Sequence, residues 1–486
     1  MTSTDAPRSH PARPAAKRPF VALAILCLAE LVGVMDNTII NVGIPTLGRA
    51  FDASTTQLQW IVDAYTLVFA VLMLPGGYLG DRWGRRRVLI AGLLGFAAVS
   101  LASALTTHLG VLIALRALLG ICAALVFPAT LSLITASYPA DQRTKAVGIW
   151  AGICGCGGVV GMLGSGVLLH FWPWQSIFWA FGGAGLVLIA MTATITSSRD
   201  AEARPLDVAG AVVIAAAVAA LVYGILAAPD RGWTHPVVLG GIAGGLILAY
   251  MLFGWFGNVI KESRGGLYSP QMDRSFRWGM SWFIFSEVMF FAAFFGALFY
   301  IRTFAGPWLG GEGDKGVSNM LWEGFEYSWP LLSNPDSKLF PPPTAVIDPW
   351  HLPLINTILL VSSSFTVTFA HHALKKNKRG PLKAWLALTI LLGAAFLVLQ
   401  VEEYIEAYTE LGLTLGSGIY GATFFMLTGF HGAHVTLGAI ILTVMLVRIL
   451  KGHFDGDKHF GFEAASWYWH FVDVVWLGLF IFVYVL

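Results

Sequence analysis

The sequence has little charge and little cysteine. Only 12% of its 486 residues are Asp, Glu, Lys or Arg, whereas 56% are apolar. This balance is atypical of a soluble globular protein and typical of a polytopic membrane protein. The Lys and Arg residues form short clusters between apolar runs, so the chain lacks the basic patch that nucleic-acid binding requires.

The four cysteines all lie within apolar runs, at Cys27, Cys122, Cys154 and Cys156. Cys154 and Cys156 are two residues apart and would point away from each other on a helix. This placement favours small apolar packing residues over metal ligands or a disulfide.

Long apolar stretches are abundant, and thirteen of them are long enough to cross a bilayer. They lie near residues 20–43, 58–80, 88–107, 110–136, 146–170, 174–196, 207–228, 236–260, 277–301, 351–374, 384–405, 417–447 and 463–485. The sequence therefore predicts an all-α polytopic membrane protein with about thirteen transmembrane helices.

The distribution of positive charge predicts the orientation of these spans. With the N-terminus inside, the inner loops and the N-terminal tail hold 24 of the 30 Lys and Arg residues. Positive residues are enriched on the cytoplasmic side, so we expect the N-terminus inside and the C-terminus outside. The polar, Pro-rich residues 1–18 are expected to form a disordered cytoplasmic tail.

The composition changes within the chain, near residues 246–263. Of the 33 Phe residues, 8 precede Met251 and 25 follow it, while all 4 Cys precede it. This break predicts two parts of different origin, joined inside a predicted transmembrane helix.

The first part carries a distinctive segment between its second and third spans, GYLGDRWGRRR. Its glycines permit a tight turn between packed helices, and Asp81 can accept hydrogen bonds from a neighbouring helix N-terminus. The expected signature residues are Gly77, Gly80, Asp81, Arg82, Gly84 and Arg85.

This segment resembles the signature loop of the major facilitator superfamily. Together with MDNTIINVGIP (35–45), QWIVDAYTL (59–67) and Arg116 in LRALLGICAA, it is similar to the 14-helix drug:proton antiporters. The resemblance covers about residues 18–248, the first eight helices of that branch. Alternating access requires two halves, and nothing after residue 250 resembles the second one.

Ionisable residues inside spans are costly and usually functional. In the first part they are Glu30, Asp36, Asp63 and Arg116. By the resemblance, Asp36 and Arg116 match family positions linked to proton coupling, whereas Glu30 and Asp63 match no usual family residue.

The second part carries a different set of motifs. These are SFRWGMSWFIFSEVMFFAAFF, YGATFFMLTGFHGAHVTLG and HFGFEAASWYWHFVDVVWL, starting at residues 275, 420 and 459. They are similar to subunit III of cytochrome c oxidase, from about Leu248 to residue 486.

The resemblance implies an accessory subunit that supports proton uptake and complex stability. Its partners would be oxidase subunits I and II, which carry haem a and copper, and this chain would bind no cofactor or metal itself. Phospholipid is a further expected partner, and the headgroup-binding positions correspond to Arg277, Arg448, Lys451 and His453. Glu287, deep in a span, is the expected proton-related residue of this part.

Several histidines of the second part invite a metal interpretation. His431 and His434 are three residues apart on one helix face, and His371, His372 and His470 could complete a site. No cysteine or carboxylate cluster joins them at ligand spacing, so interhelical hydrogen bonding is the favoured interpretation. Glu403 and Asp473 are expected to be structural partners of nearby His or Tyr side chains.

Two functional hypotheses follow. The first is subunit III of an aa3-type oxidase in aerobic respiration, part of a proton-translocating oxidoreductase without its own redox centre, fused to a truncated transporter. The alternative is a proton-coupled multidrug efflux transporter with a lipophilic substrate. The expected domains are a tail (1–18), a partial transporter bundle (19–248) and an oxidase-type bundle (249–486), in a bacterial inner membrane.

Overall fold

The computed structural model describes residues 19–198, 207–313, 315–322 and 324–486, and it contains no strand within those ranges. The expected disordered tail, residues 1–18, lies outside the described residues. The all-α class predicted from composition is confirmed.

Fourteen α-helices form within the described ranges. They are α1 Pro19–Phe51, α2 Thr55–Trp83, α3 Arg85–Leu105, α4 Leu109–Ser137, α5 Ala140–Phe171, α6 Gln175–Thr192, α7 Val208–Arg231, α8 Pro236–Arg264, α9 Pro270–Tyr300, α10 Gly306–Leu309, α11 Leu352–Lys375, α12 Arg379–Thr409, α13 Gly418–Leu450 and α14 Phe460–Leu479. Two π-helical segments extend α9 and α14, at Ile301–Ala305 and Phe480–Val485.

Among the described residues, twelve helices are long and apolar enough to cross a membrane. The remaining predicted span, the seventh in chain order near residues 207–228, coincides with α7, whose described apolar part is the shorter segment Ala209–Ile225. The polytopic helical class is therefore confirmed, while the orientation with the N-terminus inside stays a prediction.

The chain divides into two compact units, of which the first ends at Gly257 and the second begins at Asn258. The predicted domain boundary between residues 248 and 249 stays a prediction, and both positions lie within α8.

Glycines let the helices of the first unit approach closely. A Cβ atom added at Gly76 of α2 would lie 2.1 Å from the carbonyl oxygen of Ala124 on α4. One added at Gly161 of α5 would lie 2.2 Å from Thr38 Oγ1 on α1. Small residues at such contacts are the usual device for packing helices in a membrane.

The core of the second unit is centred on one tryptophan. Trp469 of α14 is fully buried, and its indole Nε1 donates a hydrogen bond of 2.9 Å to Ser363 Oγ on α11. Its ring is faced by Gly393 of α12 and Gly438 of α13, where added Cβ atoms would lie 2.6 and 2.8 Å from ring carbons. Four helices therefore meet at one side chain.

Gly393→Ala should destabilise the second unit, because its new methyl group would overlap the Trp469 ring. We expect a loss of about 1–3 kcal/mol in the free energy of unfolding, as for other overpacked cores. Gly432→Ala on α13 is the matched control, because no atom lies within 4 Å of its added Cβ. Thermal unfolding of both variants of the full chain in detergent measures the difference, and equal stability of the two would contradict this packing.

Candidate functional sites

A buried ion pair joins α1 to α4 in the first unit. Arg116 Nη1 lies 2.6 Å from Asp36 Oδ2, and both side chains are 0% exposed. Arg116 Nε donates to the carbonyl oxygen of Ile61 at 3.0 Å, and its guanidinium lies 4.5 Å from the centre of the Tyr65 ring. Because an isolated charge is very costly away from water, each member of this pair depends on the other.

Glu30 lies one and a half turns before Asp36 on α1 and faces a different environment. It is buried and accepts a hydrogen bond of 3.1 Å from Thr130 Oγ1. It lines a cavity of about 190 Å³ whose walls include Tyr65, Phe69 and Phe127. Asp63, the other candidate carboxylate, is half-buried on α2 and does not line this cavity.

The signature segment is mostly helical rather than an open loop. Gly77 and Gly80 lie within α2, and Gly84 alone separates α2 from α3, with a φ of +104°. The tight turn expected from several glycines therefore depends on one, since a positive φ is strained for other residues.

Asp81 has a different partner from the one expected. Its Oδ1 accepts from the Arg85 side chain, with Nε at 2.8 Å, rather than from the N–H groups of a helix N-terminus. Arg85 Nη1 also donates to the carbonyl oxygen of Ser132 on α4, at 3.3 Å. Arg82 donates to Tyr78 on its own helix. Side chains of the motif thus brace α2, α3 and α4, a role that only the tertiary arrangement reveals.

In the second unit, Glu287 of α9 meets His434 of α13. The distance from Glu287 Oε2 to His434 Nε2 is 2.8 Å, and the two side chains are 21% and 15% exposed. The other ring nitrogen, Nδ1, lies 2.6 Å from the carbonyl oxygen of Phe430. Aromatic rings surround the imidazole, with the Phe291 centroid 5.0 Å away.

This geometry fixes how many protons the pair holds. A carbonyl oxygen only accepts, so His434 Nδ1 must carry a hydrogen. The contact between Nε2 and Glu287 Oε2 then requires one more proton, held either by the carboxyl group or by the imidazole. Glu287 and His434 therefore form one hydrogen-bonded group, which joins two residues that the sequence singled out separately.

Two of the remaining histidines, His431 and His470, contact protein hydrogen-bonding groups, whereas His371 Nε2 has no hydrogen-bond partner among the described residues, so interhelical hydrogen bonding of the whole set stays a prediction. His431 Nε2 lies 3.1 Å from the carbonyl oxygen of Val472, and His470 Nδ1 lies 2.6 Å from Ser364 Oγ. The His371 ring lies 5.3 Å from that of His459. Within the described ranges, no group of three or more His, Cys, Asp and Glu is arranged to hold a metal ion.

Glu403 and Asp473 differ in how well they are paired. Glu403 Oε1 accepts from the Tyr484 hydroxyl at 2.5 Å and from Gln400 Nε2 at 3.1 Å, so it has the expected Tyr partner. Asp473 lies 4.0 Å from His470 Nδ1, beyond hydrogen-bonding distance. Its expected role as a structural partner of a nearby His therefore stays a prediction, with His470 as the residue within ion-pair distance.

Arg277 is already paired with carboxylates. It lies 2.9 Å from Asp273 on its own helix and 2.8 Å from Glu463 on α14, and its guanidinium packs over the Phe460 ring. Glu463 was not among the residues singled out from the sequence.

The other candidate headgroup residues lie around the C-terminal end of α13. Arg448 packs over the Phe454 ring at 4.2 Å, Lys451 is exposed and His453 is half-buried in the following loop. Partial burial lowers the pKa of His453, and the positive charges of Arg264, Arg448 and Lys451 lower it further. Arg264, at the end of α8, is a cation of this cluster that sequence reasoning missed.

Comparisons with known proteins match the two parts of the chain to different families. Residues 333–486 match the family model for cytochrome c oxidase subunit III, and residues 26–260 match that of the Major Facilitator Superfamily. Both resemblances drawn from the motifs are thereby confirmed.

Curated relatives match the C-terminal half. Cytochrome c oxidase subunit 3 of Pongo abelii is 42% identical over 246 residues, covering 50% of this chain and 82% of that protein. The subunit of Danio rerio is 41% identical over 244 residues, covering 50% and 82%. A solved bacterial homolog of the human lysosomal transporter Spinster covers 97% of this chain and is itself covered to 95%, at 16% identity and a TM-score of 0.35, which is too low to define a shared fold.

Asp36→Asn should destabilise the first unit, because Arg116 would remain charged and buried without its carboxylate. Losing one partner of such a pair costs about 3–5 kcal/mol, whereas replacing both by apolar residues is often nearly neutral. In chemical unfolding of the full chain, the free energy of unfolding of Asp36→Asn should therefore be well below that of the parent. The free energy of unfolding of the double variant Asp36→Leu/Arg116→Met should be close to that of the parent. Asp63→Asn is the control, and an Asp36→Asn variant as stable as the parent would refute the dependence.

Proposed function

The chain belongs, through its C-terminal half, to the cytochrome c oxidase subunit III family, and we propose that it acts as the accessory subunit III of an aa3-type haem–copper oxidase. It would dock on subunits I and II in a bacterial inner membrane and carry its first half as a truncated transporter. In this role it contributes to proton uptake and complex stability and has no redox centre of its own.

The contact between Glu287 and His434 is the observation that carries this proposal. Both side chains lie within spans, are partly accessible and are linked by one hydrogen bond of 2.8 Å. A group that can hold its proton on either atom can accept or release one without creating an isolated buried charge. Such a group suits the delivery of protons to a neighbouring subunit.

The redox chemistry of the complex is assigned to its partners. Haem a and copper would lie in subunits I and II, while His431 Nε2, His434 Nε2 and His470 Nδ1 of this chain contact protein groups. The histidines of this chain would then orient helices and move protons.

Phospholipid headgroups are the proposed ligand of the cluster formed by Arg264, Arg448, Lys451 and His453. These cations gather at one end of α8 and α13, where anionic phosphates are attracted to positive side chains. Arg277 belongs to the proposed set but already forms ion pairs with Asp273 and Glu463, so we expect it to contribute less to phosphate binding.

A second candidate function rests on the first unit. The Asp36–Arg116 pair and the cavity that Glu30 lines provide a buried titratable group beside apolar, aromatic walls. These features favour proton-coupled efflux of a lipophilic compound. Alternating access would then require a second half from another chain.

The oxidase proposal predicts that the tagged full-length chain co-purifies with haem a from membranes of its native host. A reduced-minus-oxidised spectrum of the eluate detects the haem, and a tagged unrelated membrane protein of the host controls for carry-over. An intact, folded chain that elutes without haem would contradict the proposal.

The headgroup proposal predicts a pH-dependent response at His453. Its pKa is held below the usual value by partial burial and by neighbouring cations, and a bound phosphate would favour the protonated ring and raise that pKa. Affinity for phosphatidylglycerol should therefore increase as the pH falls through the pKa of lipid-bound His453.

NMR titration of ¹³C-labelled histidine, with the His453 signal identified by its loss in His453→Gln, measures the shift. Arg264→Gln should raise the pKa of His453 without lipid, because it removes one of the repelling charges. A His453 pKa that is the same with and without phosphatidylglycerol would exclude a phosphate beside it.

The efflux alternative predicts that cells expressing the chain retain less of a lipophilic dye and that Asp36→Asn abolishes the difference. Because this variant is expected to be less stable, dye retention is compared at equal amounts of folded protein. Equal retention by Asp36→Asn and the parent would reject coupling through Asp36.

A further inference from the structure

A cluster of polar side chains lies between α11 and α14. Its members are Ser364 and Thr368 on α11 and His470 and Asp473 on α14. The Ser364 Oγ atom lies 2.6 Å from His470 Nδ1, and the Thr368 Oγ1 atom lies 3.3 Å from His470 Nε2. Both nitrogens of one imidazole are therefore in contact with hydroxyl groups.

The cluster lies deep within its span. His470 follows Phe460, the first residue of α14, by ten residues, which corresponds to ~15 Å of helix. The hydrocarbon core of a bilayer is ~30 Å thick, so His470 would lie near its centre. Ionisable groups at that depth are costly and usually functional.

The cluster is separate from the contact between Glu287 and His434. Tyr468 of α14 stacks on the His434 ring, with the ring centroids 6.4 Å apart. His470 follows Tyr468 by two residues, which is a rotation of ~200° about the helix axis. The side of α14 that carries His470 is therefore a second polar site of the second unit.

Asp473 is buried beside the imidazole but is not bonded to it. Its side chain is 6% exposed, against 38% for His470, and its Oδ2 atom lies 4.0 Å from His470 Nδ1. The Ser364 hydroxyl adjoins the carboxylate, yet neither carboxylate oxygen has a hydrogen-bond partner among the described residues. Since a buried, unpaired charge is costly, Asp473 is suited to take up a proton.

The hydroxyl groups determine which nitrogen of His470 can gain a proton. Thr368 Oγ1 donates its only hydrogen to the carbonyl oxygen of Ser364, at 3.0 Å. It can then only accept from His470, so Nε2 carries a hydrogen. Nδ1, which faces Ser364, is consequently the nitrogen that gains and loses a proton.

We propose that His470, Ser364 and Asp473 form a proton relay inside the second unit. In its charged state, His470 Nδ1–H donates to Ser364 Oγ, and the Ser364 hydroxyl donates to an ionised Asp473. The proton on Nδ1 then moves to Ser364 Oγ as the Ser364 hydrogen moves to Asp473 Oδ2. One N–H bond and one O–H bond break while two O–H bonds form, which leaves a neutral imidazole and a carboxylic acid.

The difference in exposure gives the relay a direction. His470 is the more exposed member and takes up the proton, while the buried Asp473 stores it. A neutral imidazole and carboxylic acid are less costly in a bilayer than two charges, so the stored state is the resting one. Ser364 suits the bridge because a hydroxyl group both accepts and donates.

Other titratable groups on the neighbouring helices are engaged elsewhere. They are Glu287 on α9, His371 on α11, Glu403 on α12, and His431 and His434 on α13. His371 lies against the His459 ring, and the other four have hydrogen-bonding contacts outside the cluster. The relay is a property of this chain alone and does not depend on docking to an oxidase.

Infrared spectroscopy of the full-length chain in vesicles tests the relay. The probe is the C=O band of a protonated carboxyl group, assigned to Asp473 by its loss in Asp473→Asn. Rapid transfer into D₂O gives the rate at which this group exchanges its proton for deuterium. We expect Ser364→Ala to slow the exchange about tenfold, as the loss of one hydrogen bond along the path implies.

Two further variants of α11 serve as controls. Ser364→Thr keeps a hydroxyl group and should exchange at nearly the parent rate. Ser362→Ala removes a hydroxyl group outside the cluster on the same helix and should leave the rate unchanged. His470→Gln should slow the exchange at least as much as Ser364→Ala, because it removes the group that takes up the proton.

Three outcomes would overturn the proposal. A spectrum in which Asp473→Asn removes no C=O band would mean that Asp473 stays ionised. Equal exchange rates in the parent and Ser364→Ala, even with a lower thermal stability of the variant, would make Ser364 only a brace between α11 and α14. Equal rates in the parent and His470→Gln would mean that protons reach Asp473 by another route.

Discussion

A charged group inside a membrane span needs a partner within reach, and this constraint organises both units. Asp36 and Arg116 satisfy it as two charges 2.6 Å apart with no exposed surface. Glu287 and His434 satisfy it with a hydrogen bond of 2.8 Å and remain partly exposed. The first pair is expected to hold α1 against α4, because removing one member would leave the other charged and buried without a partner.

The packing of the second unit positions His434. Trp469 fits between Gly393 and Gly438 and fixes α12, α13 and α14 relative to one another. His434 is thereby presented towards α9, where Glu287 and Phe291 complete its surroundings. Helix packing, rather than any local motif, thus brings Glu287 and His434 together.

The helices and the two families could be predicted from the sequence, whereas most contacts between side chains could not. Apolar length identifies a span, and motifs such as GYLGDRWGRRR identify a lineage. Neither shows which face of a helix meets which neighbour. The partners of Glu287, Arg277 and Asp81 therefore emerged only from the structure, as did the demand for glycine at Gly76. The helix also changes from α to π geometry after Tyr300, and no pattern in the sequence predicts this change.

The central claim is that the contact between Glu287 and His434 serves an oxidase. Sustained oxygen consumption by a host strain that lacks its own subunit III, complemented with this chain, tests the claim most directly. The parent chain should keep the turnover rate steady, and Glu287→Gln, incorporated to the same level, should let it decline over successive turnovers. Equal, steady turnover with Glu287→Gln would contradict the account.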